Sequence, residues 1–360
     1  MTAYTEDSLR LLREMVRIPS LSFEEGEVCS HIASALKGWG IDCRILGRNI
    51  VARNMYFDPS LPSLALDAHM DTVPAAQSYT RDPHDPGCMD DIIYGLGSND
   101  DGGSVVAMIA AFRHFYKKEM PVNLLLVLTC EEERSGPSGA RWLYSPDGPL
   151  TDDNIKWVIV GEPTGMRAAT SERGLLVLDG EAHGVSGHAA RREGVNALYK
   201  ALEDIERLRS HRFEKISPSM GEVALSVTQI SSGTAHNVIP DKCTFVVDIR
   251  PTEKYSNEEI LSELQQLCSS TLKARNLANR SSATRHSSPL TRTARKLGIE
   301  TFSSPTTSDW MRIGCDALKM GPGDSARSHK ADEYILSAEI DEAVSIYIKF
   351  IAAFYGDTLE

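Results

Sequence analysis

Apolar positions along the chain fall into three successive textures. Near the start, Leu9, Leu12 and Met15 recur at helical spacing. After Pro19 an acidic turn (Glu24, Glu25) opens a second helix with Val28, Ile32 and Leu36 at i, i+4 and i+8, ending near Gly38. Residues 41–45, 50–56 and 64–67 read as strands and 105–116 as a helix. The unbroken apolar run Asn123–Thr129 reads as a strand buried on both faces, which suits a central strand covered by helices. Residues 157–160 repeat that pattern. The second texture is alternation: 175–183, 222–228 and 243–249 are half-exposed strands, and 196–208 and 257–268 are helices between them. From 287 onward helix and short-strand character returns, with a strand-like stretch at 317–320 and a closing amphipathic helix over 338–354. The pattern predicts an α/β domain with a central mixed β-sheet flanked by helices, built from residues 1–172 and 285–360. An α+β domain over 173–284 interrupts it, and 276–288 reads as a linker.

A length of 360 residues calls for two domains rather than one core. A hydrophobic content of 41% with 24% charged residues is that of an ordinary globular chain, not a disordered one. The formal net charge of −12, without a long basic run, argues against nucleic acid as a partner, because phosphate binding needs a basic patch. Seven cysteines are scattered, odd in number and free of any CxxC pair, which points away from a disulfide framework or a cysteine zinc site and toward a reducing compartment. The N-terminal stretch lacks a basic region followed by an apolar core, and no apolar run approaches the roughly twenty residues of a membrane span. Cytoplasmic location, with no membrane partner, is the expectation.

The candidate chemistry lies where predicted strands end. His69 and Asp71 are two apart after the apolar run 64–66 and so share a face. A neutral imidazole can bind a metal through one nitrogen while a carboxylate holds the other. A glycine turn, Gly95 and Gly97, delivers Asp100 and Asp101 just before a helix. Glu131, Glu132 and Glu133 follow the buried strand, where three neighbouring carboxylates repel one another unless cations offset them. Glu162 follows the next strand, and His329 sits in a polar loop beyond Gly321 and Gly323. Two histidines, an aspartate and two glutamates, each brought in by a strand-end loop, suit two zinc-like divalent ions sharing a carboxylate better than calcium, which takes more oxygens.

The motifs His69-x-Asp71, Gly95-x-Gly97-x-x-Asp100-Asp101-x-Gly103, Glu131-Glu132-Glu133 and Gly161-Glu162-Pro163-Thr164, closed by His329, resemble the acetylornithine deacetylase / succinyl-diaminopimelate desuccinylase family, di-zinc amidohydrolases related to carboxypeptidase G. The likeness spans essentially the whole chain, insert included. It implies that Asp100 bridges two ions, that His69 and Glu162 complete one site and Glu133 and His329 the other, that Glu132 is the general base, and that Asp71 orients His69. It implies two divalent ions, zinc first and cobalt as an alternative. Two departures stand out: Asp101-Gly102 occupies places where the family commonly has Met-Lys, and Glu131 stands where Asp is common.

The same resemblance makes the insert a lid and dimerisation domain. His188, in Gly184-Val-Ser-Gly187-His188, resembles a lid histidine that reaches a neighbouring subunit's site, where a donor facing developing charge aids catalysis. Asn237 and Arg250 match lid positions that bind substrate carboxylate, and a guanidinium fork suits that task. His183, His236, the Arg191-Arg192 pair and the sequon at Asn279 receive no role. The resemblance is to an N-acyl-L-amino acid deacylase, closest to acetylornithine deacetylase through the loop 319–333. The implied substrate is N-acetyl-L-ornithine or N-succinyl-L-ornithine, in arginine biosynthesis, handled by a homodimer. Acetylcitrulline, succinyl-diaminopimelate and dipeptides are alternatives of the same chemistry. A one-metal peptidase and a non-catalytic binding protein on the same fold are the rivals, and the filled ligand positions speak against the latter.

Overall fold

The run Asn123–Thr129 forms the predicted strand, and every one of its residues is buried. In the computed structural model, which describes residues 3–89, 91–191 and 193–357, this strand pairs antiparallel with Asn49–Arg53 and parallel with Ser63–His69. Arg192 lies outside the described residues. Outward from Ser63–His69 the sheet continues through Ile155–Val160 and Asp316–Lys319, both parallel, and on its other side ends at Cys43–Leu46. The sheet is therefore mixed, with four adjacent parallel strands at its centre. Their carboxyl ends are level: His69 pairs with Thr129, Asp67 with Val160, and Val160 with Lys319.

The missing alternation in these strands has a direct cause. Leu64, Leu66, Leu124, Leu126 and Leu128 pack into one apolar cluster with residues of Ala3–Val16, Gly26–Gly38, Gly103–Phe115 and Ser337–Asp357. Ala65, Leu125, Val127 and Val158 pack on the other face against Leu143, Leu150, Trp310 and Ile313. Both faces are covered, so both must be apolar. The predicted strand 50–56 stops at Arg53 because the Asn54 side chain replaces a ladder partner: Asn54 Oδ1 accepts from Leu124 N at 3.0 Å. Among the elements that escaped the sequence reading are the strands Ala168–Glu172 and Thr271–Ala274, and the ribbon Ile92–Tyr94 with Tyr334–Leu336, whose strands are three residues long and carry no period. Part of the expected linker is also ordered, as the short strand Ser282–Ala283.

By internal packing the chain divides into two units: Met1–Thr170 with Thr284–Phe302 and Ser308–Glu360, and Ser171–Ala283 with Ser303–Thr307. Within the first unit, Thr284 N donates to Thr170 O at 2.9 Å, so the chain leaves it and returns to it at one point. The second unit is an antiparallel sheet in the order Ala224–Ser232, Lys242–Arg250, Leu176–His183, Thr271–Ala274. Leu176, Leu178, Phe245, Val247 and Ile249 face the helices Ala197–Ser210 and Asn257–Leu267, while the intervening positions are wetter, which is the alternation seen in the sequence. Among the described residues no helix is long and apolar enough to cross a membrane, and all seven cysteines are free.

One buried carboxylate locks this second unit. Asp204 accepts from the backbone N–H and hydroxyl of both Ser269 and Ser270, at 2.6–3.1 Å, and pairs with Arg207 at 2.7 Å. Although burial opposes ionisation, the serine donors hold Asp204 below the usual carboxylate range. A group with a depressed folded pKa contributes stability that is full above its unfolded value, near 4, and is lost as pH falls through the folded value. Asp204→Asn is expected to destabilise the unit by about 2–3 kcal/mol at neutral pH, since an amide presents N–H groups to existing donors. Denaturant melts at pH 7 and pH 3 check this; an equal deficit at both would show that the charge is not responsible.

Candidate active site

Each strand end presents its acid or imidazole for a local reason. His69 closes its strand, and Met70 N continues the pairing to Thr129 O at 2.9 Å. Gly95 and Gly97 have φ of 113° and 74°, a left-handed conformation that lets the chain turn sharply before Asp100. A side chain on Gly97 would also collide with Thr72 Cγ2 at 2.5 Å. The Asp100 turn is fixed from outside: Asn99 N and Asp100 N both donate to Glu333 Oε1 at 2.9 Å. After Thr129, Glu131 takes a left-handed φ of 63°, and its side chain is buried in contact with Arg48 and with Ser138 N at 2.9 Å. The three neighbouring glutamates thus part company: Glu131 goes to a structural ion pair, while Glu132 and Glu133 belong to the cluster. Gly161 brings Glu162 in closely, since a Cβ there would lie 2.6 Å from Ser104 Cβ and 2.8 Å from Asp101 Oδ2.

Asp71 is the hub of the cluster. Its carboxylate accepts from Glu132 N at 3.0 Å, Glu133 N at 3.1 Å and the Ser22 hydroxyl at 2.7 Å, which fixes the loop carrying both glutamates. His69 Nδ1 lies 3.0 Å from the Asp71 carbonyl oxygen and 3.5 Å from its carboxylate. A carbonyl can only accept, so Nδ1 carries the proton and the Nε2 lone pair points at Asp100 Oδ1, 3.2 Å away. Two acceptors facing each other need a proton or a cation between them. At His329 nothing fixes the tautomer: Nε2, 3.0 Å from Glu133 Oε1 and 3.6 Å from Asp100 Oδ2, can donate a proton to these carboxylates or share a cation with them.

The proton affinities of the set carry the same message. Burial pushes Glu132 and Glu162 well above the usual carboxylate range, and repulsion between the acids adds to it, Glu162 and Asp309 acting on Glu132 and Asp100 on Glu162. Lys319, buried on the neighbouring strand, pulls Glu162 back. His69 is raised in spite of burial by Asp100 and Asp71, and Asp100 is lowered in spite of burial by His69. His329 is pushed up to about 8, chiefly by Glu133. Oxygen and imidazole donors that take up protons to relieve one another are the donor set that divalent cations of the zinc type neutralise. Ligand atoms of His69, Glu132 and Glu162, and separately of His69, Asp100 and Glu133, lie within 4.8 Å of one another. The residues present therefore fit divalent metal. These groupings place Glu132 beside Glu162 and Glu133 beside Asp100, and they share His69, whereas the sequence expectation shared Asp100.

The seven expected residues of the first unit come together. The three of the insert are described within their own unit. His188 is exposed and accepts from Ala190 N at 3.2 Å, and Asn237 is exposed with its carbonyl accepting from Ala189 N at 3.0 Å. The Arg250 fork is engaged by Asp248, at 2.9 and 3.2 Å. Residues that the sequence reading gave no role also belong here. Asp309, pushed up to about 6 by burial, accepts from the Thr129 hydroxyl at 2.6 Å. Glu333 is pushed up to about 7 by burial and by Asp100. Asp101 is pushed up to about 8 by burial. In the sequence, Thr307-Ser308-Asp309 resembles a substrate-side loop with no role assigned within it, and Glu333 ends the loop 319–333.

Comparison with known proteins settles the family. Residues 65–353 match the model of peptidase family M20/M25/M40. The chain belongs to that family. It is a metallohydrolase of the M20 type, and the matched span runs from the strand before His69 to the last helix. A succinyl-diaminopimelate desuccinylase of Cereibacter sphaeroides is 30% identical over 275 residues, 72% of either chain. Among solved structures, aminopeptidase PepT of Bacillus cereus superposes with a TM-score of 0.77 at 17% identity, covering 97% of this chain and 98% of that one. The YXEP protein of Bacillus subtilis, described as a dinuclear metal-binding peptidase, gives 0.68 at 16% identity and 98% coverage of each. These two share the M20 fold with this chain, a mixed sheet flanked by helices.

Proposed function

We propose that this M20 hydrolase removes the acyl group from an N-acyl-L-amino acid by cleaving its amide bond. The observation that carries the reading is the convergence of His69, Asp100, Glu132, Glu133, Glu162 and His329 at the level carboxyl ends of parallel strands. His69 and Glu162 would hold one divalent ion, Glu133 and His329 a second, and Asp100 both, with zinc the expected metal and cobalt a substitute. Such ions, when bound, polarise the scissile carbonyl and lower the pKa of water. Asp71 fixes the His69 tautomer and pins Glu132 and Glu133 by their backbone N–H groups. Glu132 takes a proton from the attacking water and passes it to the amine nitrogen as the C–N bond breaks, leaving a carboxylate and a free amine. His188, Asn237 and Arg250 are proposed to bind substrate from the inserted unit, which is also the proposed dimer surface. The seven free cysteines support a reducing, cytoplasmic setting.

The name of the Cereibacter relative supports N-succinyl-diaminopimelate as the first substrate to try. The likeness of the loop 319–333 to acetylornithine deacetylase favours N-acetyl- and N-succinyl-L-ornithine as the second reading. Rates with zinc or cobalt supplied should be compared for these three compounds and for N-acetyl-L-citrulline. A strong preference for one of them names the acyl group and the amino acid. Chelation should remove the activity and either metal restore it, whereas activity resistant to chelation would sink the metal assignment. No turnover of any compound by a chain carrying two ions would redirect the search to dipeptides.

A further inference from the structure

The two imidazoles of the site are oriented in different ways. His69 is buried and its Nδ1 is tied to Asp71. His329 has a side chain 54% exposed, and among the described residues its Nδ1 has no hydrogen-bond partner. A histidine ligand ordinarily has its second nitrogen held by a carboxylate or carbonyl. With that restraint missing, the His329 ring can be aimed only through its backbone, and that backbone is unusual. His329 and Asp332 have φ of 58° and 55°, a left-handed conformation that side-chain-bearing residues adopt at a cost of about 1–2 kcal/mol each. Such a loop persists only where its surroundings fix it.

Two consecutive carboxylates do the fixing, in opposite directions. Glu333 faces inward and takes the Asn99 and Asp100 N–H groups. Asp332 faces a separate segment: Oδ1 accepts from Thr80 N at 2.9 Å and Arg81 N at 3.1 Å, and Oδ2 from the Thr80 hydroxyl at 2.6 Å. Arg81 is anchored in turn over the Tyr94 ring, 4.1 Å from its centroid, and Tyr94 pairs with Tyr334 in the ribbon that follows the loop. Thr80 touches none of the ligands, yet it holds the residue that stands three places after His329.

We propose that Asp332 is a positioning residue for His329, and that the Thr80–Arg81 segment sets the affinity of the second metal ion through it. The proposal rests on the two-ion reading above. Asp332 holds no metal itself. It keeps the loop in the one conformation that presents Nε2 toward Glu133 and Asp100. Outer partners of this kind are worth about 10–100-fold in metal affinity.

The test is a metal titration of the full-length chain with Zn²⁺ and Co²⁺ in chelator buffers, reading stoichiometry by elemental analysis and the Co²⁺ ligand-field spectrum. His329→Ala is the reference for loss of the second ion. Asp332→Ala should weaken the second ion about 10–100-fold and leave the first unchanged. Thr80→Val, which removes one donor of the three at an exposed position, should weaken it less than tenfold, and Asp332→Asn, which keeps one acceptor oxygen for the two amides, should restore part of the loss. Equal second-ion constants in wild type and Asp332→Ala would overturn the proposal while leaving the two-ion reading intact. Equal weakening of both ions would overturn it as well, by showing general damage. A wild-type chain that binds a single ion would instead overturn the two-ion reading and the proposal with it.

Discussion

Glu132→Gln is expected to lower kcat by about 10²–10⁴-fold, the ordinary contribution of a positioned general base, while both metal ions stay bound. Glutamine keeps the shape and loses the proton acceptor. Glu132 N still reaches Asp71 Oδ1, so the loop geometry should survive. The outcome discriminates between two assignments, because the Glu132 carboxylate lies close enough to His69 and Glu162 to serve as a ligand instead. Loss of one ion from the variant, seen by elemental analysis, would make Glu132 a ligand and remove it as the base. Activity near that of wild type would remove it from the chemistry altogether. The same variant also tests the inserted unit. Mixed with His188→Ala subunits it should recover activity if His188 acts across a dimer, whereas verified heterodimers that stay inactive place His188 in its own chain's reaction.

Arg48→Met should be the most destabilising single change near the site. Arg48 Nε donates to Glu25 Oε2 at 2.6 Å, its other guanidinium end contacts Glu131, and both carboxylates are buried. Without the guanidinium, two buried carboxylates stand together with only amide donors left to them, Phe23 N and Glu131 N at Glu25 and Ser138 N at Glu131. Removing one partner of a buried ionic group typically costs about 3–5 kcal/mol. Because Arg48 is itself partly exposed and those amides remain, the lower end, about 3 kcal/mol, is expected. For a chain of this size that is a fall in Tm of roughly 4 °C. Adding Glu131→Gln to Arg48→Met should return part of the loss, since it removes one of the stranded charges. A double variant no more stable than the single one would show that the guanidinium acts through packing.

How far the sequence could be read depended on whether a feature left a period or a spacing. The run Asn123–Thr129 was legible because burial on both faces leaves an unbroken apolar string, and the insert was legible because one wet face restores alternation. The ribbon of Ile92–Tyr94 with Tyr334–Leu336 was not, because three residues cannot show a period and its partner lies far along the chain. Within the site, His69, Asp100, Glu162 and His329 were marked by glycine turns and strand ends. The partition of Glu131, Glu132 and Glu133 was hidden, since it rests on the left-handed backbone at Glu131 and on a cation, Arg48, more than eighty positions earlier. The contacts of Asp309 and Glu333 were hidden for a similar reason: their partners, Thr129 and the Asn99–Asp100 amides, are distant in sequence.

The hydrogen bond from Thr284 to Thr170 has a thermodynamic side. The chain between them is a little over a hundred residues long. Were that stretch unfolded, holding its ends together would cost the first unit a loop-closure entropy of about 4 kcal/mol. Folded with its termini already adjacent, it imposes almost none of that penalty. This coupling follows from chain connectivity and needs no contact between the two units. Unfolding the insert loosens the unit that carries the acids and imidazoles, and an agent that stabilises the insert tightens it.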